Sequence, residues 1–287
     1  GLGWVGLGWV GLAICRLSQL QCNAKPSNRI HPVMATYAVT GSASGIGAAL
    51  TAKLTEQQHA VIQVDISKGD VIADLSTAAG REAAIAGIRA LAPNGLDGLV
   101  PLAGVSAPPA PPERIISINY FGVIELLAGL RDLLGKSTGT TVLIGSNSAP
   151  MSSTEDPLLA PLLDCDEASA LALSAEHNNG LQYMTAKRAL IYWMRRNAMI
   201  YAREGIRMNA IAPGPVDTPM TKPLYDDPNM VAVLEHMMDA TPLARAAKPE
   251  EIADVIAFLL SDQARYLCGS VLYADGGYDA NTRSDWL

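Results

Sequence analysis

The stretch Thr40-Gly41-Ser42-Ala43-Ser44-Gly45-Ile46-Gly47 decides the fold. It follows the short apolar run Tyr37–Val39 and precedes an apolar pattern of helical spacing over residues 45–58. Glycines permit a tight turn and the close approach of a pyrophosphate, and a helix N-terminus presents unpaired N–H groups to its charge. The segment therefore predicts a strand, a dinucleotide-binding turn and a helix. By themselves, the glycines fit an ordinary strand-to-helix turn equally well.

An acidic residue ends the next predicted strand. Asp65 follows the run 60–64 and lies 18 residues after Gly47. A carboxylate at this point accepts hydrogen bonds from the hydroxyls of an adenosine ribose and repels a 2′-phosphate. Neither Ile66 nor Ser67 supplies a cation, and the glycine turn contains no Lys or Arg. The sequence therefore predicts NAD rather than NADP as the cofactor, the alternative for Asp65 being a solvated loop acid.

The rest of the chain alternates short strand-like runs with longer helical patterns, which is typical of βαβ units around a parallel sheet. The strand-like runs are 37–39, 60–64, 71–73, 98–100, 141–144, 207–211 and 271–273. The helical patterns are 45–58, 77–91, 113–134, 181–204 and 249–261. No low-complexity linker interrupts residues 36–277. We therefore predict a single α/β domain, a doubly wound seven-stranded parallel sheet with helices on both faces.

A phenol and an ammonium group stand four residues apart within the helical pattern 181–204. Tyr183 and Lys187 share one face of that helix. A free phenol has a pKa of about 10, too high for a base near neutrality. A cation at ~4 Å in a partly shielded site would lower that pKa by about three units. Lys187 is thus predicted to make Tyr183 a usable acid/base, unless the two are only a pair on a helix surface.

Composition and charge exclude several classes of protein. The 21 Lys and Arg against 28 Asp and Glu give a formal charge of −7, which argues against a nucleic-acid partner. With 49% hydrophobic and 17% charged residues, the chain can bury a core. The four Cys and four His show no C-x-x-C pair and no metal-ligand spacing. We therefore predict neither a disulfide framework nor a metal site.

Residues 1–33 differ from the rest of the chain. They contain a tandem repeat of Gly-Leu-Gly-Trp-Val and no acidic residue. The apolar run 1–14 is shorter than the roughly 20 residues that cross a bilayer, so we predict no membrane span. The features of a secretory signal are also missing. We expect an extension that is non-native or disordered, the alternative being a peripheral membrane anchor.

Eight motifs, taken together and in chain order, resemble those of the short-chain dehydrogenase/reductase family. They are Thr40–Gly47, Asp74-Leu75, Ala103-Gly104, Asn119, Ser146, Tyr183-x-x-x-Lys187, Pro213-Gly214 with Thr218, and Asp275-Gly276-Gly277. The match covers about 240 residues, from Thr36 to Gly277. The resemblance implies a Rossmann-type sheet and hydride transfer between a nicotinamide and a carbonyl or secondary alcohol. Residues 34–287 would then form the NAD-binding domain.

The resemblance also implies four catalytic residues. Tyr183 would be the proton donor and acceptor, and Lys187 would hold the nicotinamide ribose and lower the phenol pKa. Ser146 would hydrogen-bond the substrate oxygen, with Ser148 as its rival if the strand register differs. Asn119 would bend its helix and hold a water that relays protons from Lys187, unless it is only a helix-cap or turn residue. The implied cofactor-binding residues are Gly41, Ser44, Gly45, Ile46, Gly47, Asp65, Asp74, Leu75, Ala103, Gly104, Tyr183, Lys187, Pro213, Gly214, Val216 and Thr218.

The sequence departs from the family pattern at two places. Leu102 replaces the usual Asn of an Asn-Ala-Gly motif, which removes a side-chain hydrogen bond but no catalytic group. The distance from Ser146 to Tyr183 is 37 residues, where the family commonly has about 13, so we predict an insertion at about 150–180. It is either a surface excursion closed by its own small core, or a subdomain that alters the subunit interface or walls the substrate pocket.

This insertion, together with the segments Ile118–Gly122 and Val271–Ala280, resembles the bacterial 3α-hydroxysteroid dehydrogenase/carbonyl reductase branch of the family. The Met-rich segment 216–245 lies where the family has its substrate lid, and Met suits a bulky apolar ligand. Its alternative role is a helix that only packs on the core. We predict a hydrophobic small-molecule substrate and a cytoplasmic homodimer or homotetramer.

Three functions stay open on the sequence alone. The first is an NAD-dependent dehydrogenase of a hydrophobic, steroid-like cyclic secondary alcohol. The second is a dehydrogenase of a smaller alicyclic or monoterpenoid alcohol, because the same lid would accept either. The third is a non-catalytic protein that senses NAD(H), against which the intact Asn119, Ser146, Tyr183 and Lys187 argue.

Overall fold

Seven parallel strands form one sheet in the order β3-β2-β1-β4-β5-β6-β7. The structure, a computed structural model, describes residues 34–106, 110–176, 181–223 and 228–285. The strands are β1 (Thr36–Thr40), β2 (Ala60–Asp65), β3 (Val71–Ile72), β4 (Gly98–Pro101), β5 (Thr140–Ile144), β6 (Arg207–Pro213) and β7 (Val271–Ala274). The predicted seven-stranded parallel sheet is confirmed. The prediction for residues 1–33 lies outside the described residues.

Helices cover both faces of the sheet, as predicted. The helices are α1 (Gly45–Glu56), α2 (Ala78–Leu91), α3 (Pro112–Ile116), α4 (Gly122–Gly129), α5 (Arg131–Ser137), α6 (Leu159–Leu163), α7 (Glu167–Glu176), α8 (Gln182–Ala202), α9 (Pro228–Asp239), α10 (Pro249–Leu260) and α11 (Tyr278–Thr282). Successive side chains of a strand point to opposite faces, so β1 contributes to two cores. Ala38 packs with α2, α4, α5 and α8, whereas Tyr37 and Val39 pack with α1 and α10.

The prediction of one continuous helix over 113–134 is wrong in detail. A π-helical turn, Ser117–Phe121, separates α3 from α4, and α5 begins after Leu130. Such a turn widens the helix locally and is often found at functional sites. It contains Asn119, which is fully buried. That Asn119 bends this helix stays a prediction.

The predicted insertion packs into the main core. It holds a 3₁₀ turn at Ala149–Met151, then α6 and α7, and residues 177–180 lie outside the described part. Leu158, Leu162 and Ala170 are buried in the same cluster as α8 and one face of the sheet. A small core of its own, which was one of the two readings of this segment, is therefore wrong. Its effect on the subunit interface stays a prediction.

A buried arginine links the insertion to helices α2 and α4. Arg81 of α2 is 1% exposed, and both of its terminal nitrogens donate to the carboxylate of Glu167 at the start of α7, at 3.1 and 2.6 Å. Its Nε donates to Glu125 of α4 at 2.7 Å. Two carboxylates thus neutralise one buried guanidinium, as a buried charge requires.

Within the described residues no helix is both long and apolar enough to cross a membrane. The predicted lid segment contains α9, while residues 224–227 lie outside the described part. Val216 pairs with Ala247 in an isolated parallel bridge, which ties the start of this segment to the residues that precede α10. That this segment acts as a lid stays a prediction.

Candidate active site

A cleft of about 540 Å³ opens where the strands end at their carboxyl edge. This edge is where open α/β sheets hold their ligands. All of the residues predicted for catalysis and cofactor binding line this cleft, although their roles stay predictions. They are Gly41, Ser44, Gly45, Ile46, Gly47, Asp65, Asp74, Leu75, Ala103, Gly104, Asn119, Ser146, Tyr183, Lys187, Pro213, Gly214, Val216 and Thr218. No described residue of the segment 150–176 lines it.

The glycine turn brings backbone close to the cleft. Gly41 has a φ of +66°, and a Cβ there would lie 2.8 Å from the backbone of Ala103. A Cβ on Gly47 would lie 2.1 Å from the carbonyl oxygen of Gly41, so only glycine allows α1 to start against the turn. The first turn of α1 contains no acidic residue. Its unpaired N–H groups therefore face the cleft without a competing carboxylate, which suits an anionic group.

Asp65 stands at the end of β2 with its oxygens held by nearby donors. One oxygen accepts from the Ser67 N–H at 2.9 Å and from the Ser67 hydroxyl at 2.8 Å, and the other accepts from the Ala43 N–H at 3.1 Å. Burial alone would raise the pKa of Asp65, but these hydrogen bonds outweigh it and lower the pKa. Asp65 is therefore a carboxylate at neutral pH. Lys68, one residue past the stretch that sequence reasoning considered, also lines the cleft.

Asp74 and Arg114 border the same end of the cleft. The sequence predicts Asp74 as a cofactor-binding residue but does not predict Arg114. Asp74 accepts from the Ser76 hydroxyl at 2.7 Å, and this bond is the main reason that its pKa is lowered. The guanidinium of Arg114 lies 3.8 Å from Asp74 and lines the cleft. Arg114 stands four residues before Ile118, another lining residue, but the sequence alone gives no signal that either residue faces the cleft.

Asn119 fastens the loop that follows β4. Its side-chain oxygen accepts from the N–H of Val105 at 2.9 Å, and its amide donates to the carbonyl of Val105 at 2.8 Å. The adjacent Ala103 N–H donates to Thr40 Oγ1 at 3.0 Å, which links this loop to β1. Leu102, the departure from the family pattern, packs against the core shared by α1 and α10. The loop is therefore held even without the usual asparagine.

Ser146 and Ser148 lie side by side after β5, and both are buried. Their hydroxyl oxygens are 2.8 Å apart, and the N–H of Ser148 donates to Ser146 Oγ at 3.1 Å. Ser146 lines the cleft and hydrogen-bonds the Tyr183 phenol. Ser148, the rival candidate, hydrogen-bonds Ser146 through its hydroxyl and its backbone N–H.

The effect of Lys187 on Tyr183 differs from the prediction. Burial raises the pKa of the Tyr183 phenol, and the hydrogen bond from Ser146 opposes this rise without cancelling it. Lys187 Nζ lies 5.7 Å from the centroid of the Tyr183 ring and donates to the carbonyl of Ile144 at 2.8 Å. Burial lowers the pKa of Lys187 to about 8. The predicted lowering of the phenol pKa is therefore wrong for this arrangement, because burial dominates and the ammonium is held on β5.

The opposite wall of the cleft comes from the segment after β6. Gly214 lies so close to Asp275 that a Cβ would meet its Cα at 2.9 Å. Thr221 donates to the carbonyl of Val216 at 2.7 Å and accepts from the N–H of Thr218 at 3.1 Å. These bonds hold Thr218 in a short turn at the cleft. Among the described residues, no cluster of His, Cys, Asp or Glu fits a metal ion.

The chain is similar to known proteins over nearly its whole described length. A family model described as enoyl-(acyl carrier protein) reductase matches residues 167–279. Over 255 residues the chain is 36% identical to the 3-alpha-hydroxysteroid dehydrogenase/carbonyl reductase of Comamonas testosteroni, covering 87% of this chain and 98% of that protein. The chain belongs to the short-chain dehydrogenase/reductase family. The family predicted from its motifs is therefore confirmed.

Two further proteins show how closely this short-chain dehydrogenase/reductase resembles known members. It is 35% identical to the cis-4-hydroxycyclohexanecarboxylate dehydrogenase of Sinomonas cyclohexanicum, covering 84% of this chain and 95% of that protein. The crystal structure of the 3-alpha-hydroxysteroid dehydrogenase from Pseudomonas sp. B-0831, complexed with NADH, superposes with a TM-score of 0.85 at 40% identity. The match covers 88% of this chain and all of that one. The chain is an oxidoreductase of the alcohol dehydrogenase and ketone reductase type.

Proposed function

We propose that the chain is an NAD-dependent oxidoreductase that interconverts a hydrophobic, hydroxysteroid-like cyclic secondary alcohol and its ketone. The observation that carries this proposal is that Ser146, Tyr183 and the buried Lys187 line the same cleft as the glycine turn. A proton-transfer group and a dinucleotide cradle in one cleft suit hydride transfer coupled to proton transfer. These three residues and Asn119 are the four catalytic residues that the family resemblance implies.

The residues of the cleft fit NAD. Gly41 and Gly47 lack a Cβ, so the backbone of the glycine turn is tightly packed at the cleft. A pyrophosphate could therefore approach the backbone N–H groups of this turn closely. The ionised Asp65 would accept hydrogen bonds from ribose hydroxyls and would repel a 2′-phosphate. As the family resemblance implies, Asp74 and Leu75 would border the adenine, and Thr218 with the backbone near Val216 would hold the carboxamide. The related 3-alpha-hydroxysteroid dehydrogenase was solved with NADH, which supports the same choice.

The chain's own groups handle the proton of the reaction. NAD supplies the hydride acceptor or donor when bound. In oxidation, Tyr183 Oη takes the hydroxyl proton of the alcohol, and in reduction it returns a proton to the ketone oxygen. Ser146 Oγ hydrogen-bonds the same substrate oxygen and stabilises its developing negative charge. Lys187, whose Nζ donates to the carbonyl of Ile144, would hold the nicotinamide ribose, as the family resemblance implies.

The substrate class rests on the apolar walls of the cleft and on the relatives. Val105, Ile118 and Met220 line the cleft beside the catalytic groups. Met adapts to irregular apolar surfaces, so this wall suits a bulky ring. Relatives of almost equal identity carry the names of a hydroxysteroid and a hydroxycyclohexane dehydrogenase. The similarity to the cis-4-hydroxycyclohexanecarboxylate dehydrogenase favours a second candidate substrate, a smaller alicyclic or monoterpenoid alcohol.

The test is NADH absorbance with purified protein, NAD or NADP, and three alcohols. The alcohols are a 3α-hydroxysteroid, a monocyclic terpene alcohol and cyclohexanol. Turnover of the steroid with NAD supports the first candidate, and turnover of the small rings alone supports the second. NAD binding without turnover of any ring alcohol or ketone would overturn the enzyme assignment and favour an NAD(H)-sensing protein.

A further inference from the structure

Arg188, the residue after Lys187, hydrogen-bonds the turn that carries Ser146, which spans residues 146–152. Arg188 of α8 donates from Nε to Ser152 Oγ at 2.8 Å, and from one terminal nitrogen to the carbonyls of Pro150 and Ser152 at 2.9 and 2.6 Å. Its other terminal nitrogen donates to the hydroxyl of Tyr192 at 2.7 Å. Three of these four bonds therefore end on the turn, and only a planar fork of donors can make them together.

The turn connects these contacts to Ser146 because it is hydrogen-bonded throughout. The N–H of Ala149 donates to the carbonyl of Ser146 at 3.1 Å, and the N–H of Met151 donates to the carbonyl of Ser148 at 2.9 Å. The Ser152 hydroxyl donates back to the carbonyl of Ala149 at 3.4 Å. Residues 146–152 thus form one continuous set of hydrogen-bonded turns.

Two consecutive cations of α8 consequently hold Ser146 from both sides. Lys187 donates to the carbonyl of Ile144, two residues before Ser146, and Arg188 binds the residues four and six positions after it. The same helix carries Tyr183 at its start. The 36 residues between Ser146 and Tyr183 include the insertion, so the chain itself gives little control over the distance between the two hydroxyls.

We propose that Arg188 is a positioning residue for the hydride-transfer reaction, holding the turn that carries Ser146 in register with Tyr183. A second contact strengthens this connection, because Thr185 of α8 donates to Asp156 of the insertion at 2.7 Å. Together these bonds connect α8 to the first residues of the insertion. The inference deepens the proposed function and rests on it.

The test compares Arg188→Lys with a matched variant on the same helix, Arg195→Lys. Lysine keeps the charge but has no fork, so it loses the simultaneous bonds to the turn. We expect kcat for ring-alcohol oxidation to fall about 10- to 100-fold, the scale of a catalytic group displaced by roughly 1 Å. NAD affinity should change by less than about twofold, because the glycine turn and Asp65 are distant from the turn. The exposed Arg195 does not contact the turn in any hydrogen bond or ion pair described for this structure, so Arg195→Lys should keep kcat near the wild-type value.

A double-mutant cycle separates positioning from general stability. If Arg188 acts through Ser146, then Arg188→Lys should cost little further activity in a protein that already carries Ser146→Ala. An equal loss in both backgrounds, or a kcat within about twofold of wild type for Arg188→Lys alone, would overturn the proposal. Ser152→Ala removes only one acceptor and should show a smaller loss in the same direction, which keeps the test available if Arg188→Lys fails to fold.

A titration without substrate distinguishes this proposal from the proposed function. Tyrosinate absorbance of each protein, minus that of its Tyr183→Phe counterpart, reports the ionisation of Tyr183. Arg188→Lys should raise the titration midpoint in the same direction as Ser146→Ala, because both weaken the bond from Ser146. Absence of turnover in the wild type would contradict the proposed function, whereas an unchanged midpoint in Arg188→Lys would contradict the positioning role.

Discussion

The two ends of the cleft are built in different ways. At the adenine end, Gly41, Gly47 and Asp65 come from one strand–helix–strand unit, and their geometry follows from backbone conformation and short-range hydrogen bonds. At the catalytic end, Ser146 and Tyr183 come from elements 37 residues apart and meet through side-chain contacts. The first end is specified locally, and the second depends on tertiary packing. Substitutions should therefore affect cofactor binding at one end and turnover at the other.

Tyr183→Phe should give the largest difference between the effect on turnover and the effect on NAD binding. The phenol is the proposed acid/base, and such groups contribute about 10²- to 10⁴-fold to rates. We expect turnover to fall by that order while NAD affinity, measured by quenching of protein fluorescence, stays close to wild type. Substantial remaining turnover would show that Tyr183 is not the proton-transfer group.

The neighbouring serines give the next test, at the catalytic end alone. Ser146→Ala removes the proposed contact to the substrate oxygen, and we expect kcat to fall about 10²-fold or more. Ser148→Ala leaves Ser146 in place and removes only its support, so its loss should be clearly smaller. Steady-state kinetics on the two variants decides the assignment, and the reverse order would give the role to Ser148.

The pH dependence of turnover also belongs to the catalytic end. The pKa of Tyr183 is raised, so at neutral pH most molecules carry the phenol, which is the form that protonates a ketone. Oxidation needs the phenolate, and its rate should rise by up to about tenfold per pH unit until the pKa is passed. Reduction should fall over the same range. An oxidation rate that is flat with pH, measured with chemistry rate-limiting, would contradict this role.

At the adenine end, Gly47→Ala should weaken NAD binding by about tenfold or more, because the added Cβ would clash with the carbonyl of Gly41. Gly135→Ala is the matched control. A Cβ there meets only the carbonyl of Glu204 at 3.9 Å, and the residue lies in α5 away from the cleft. Calorimetric titration of both variants measures the difference. Equal NAD affinities would show that the glycine turn does not hold the cofactor.

The smallest effect is expected at Asp65. Asp65→Ser removes the negative charge that repels a 2′-phosphate, and Lys68 already lines the cleft nearby. We expect the preference for NAD over NADP, measured as the ratio of kcat/KM values, to fall by about tenfold. A ratio unchanged by this substitution would place the discrimination elsewhere.

The sequence was sufficient for the features that are specified locally. The seven strands follow from short apolar runs between turns, and the glycine turn from its spacing, so both could be predicted. The π-helical turn at Ser117–Phe121 could not, because its residues also suit an ordinary helix. The raised pKa of Tyr183 was missed for another reason. The spacing to Lys187 is visible in the sequence, but the burial of the phenol and the carbonyl that holds the ammonium are not.

Contacts between distant segments also lay beyond sequence reasoning. Arg114 at the cleft and Arg188 beneath the turn look like ordinary surface arginines in the sequence. Their roles depend on Asp74 in one case and on the turn at 150–152 in the other. The insertion was found from the spacing of two motifs. Its packing into the main core required the structure, because its leucines fit a separate small core equally well.

The buried Arg81 has two carboxylate partners, which duplicates the compensation of its charge. Its guanidinium is neutralised by Glu125 of the common framework and by Glu167 of the insertion. A buried cation left without any carboxylate costs about 3–5 kcal/mol, enough to threaten a protein of ordinary stability. Loss of either carboxylate alone leaves the guanidinium paired with the other. The full penalty falls on the protein only when both acids are lost, so the link between the insertion and the framework should tolerate the substitution of one of them better than the substitution of both.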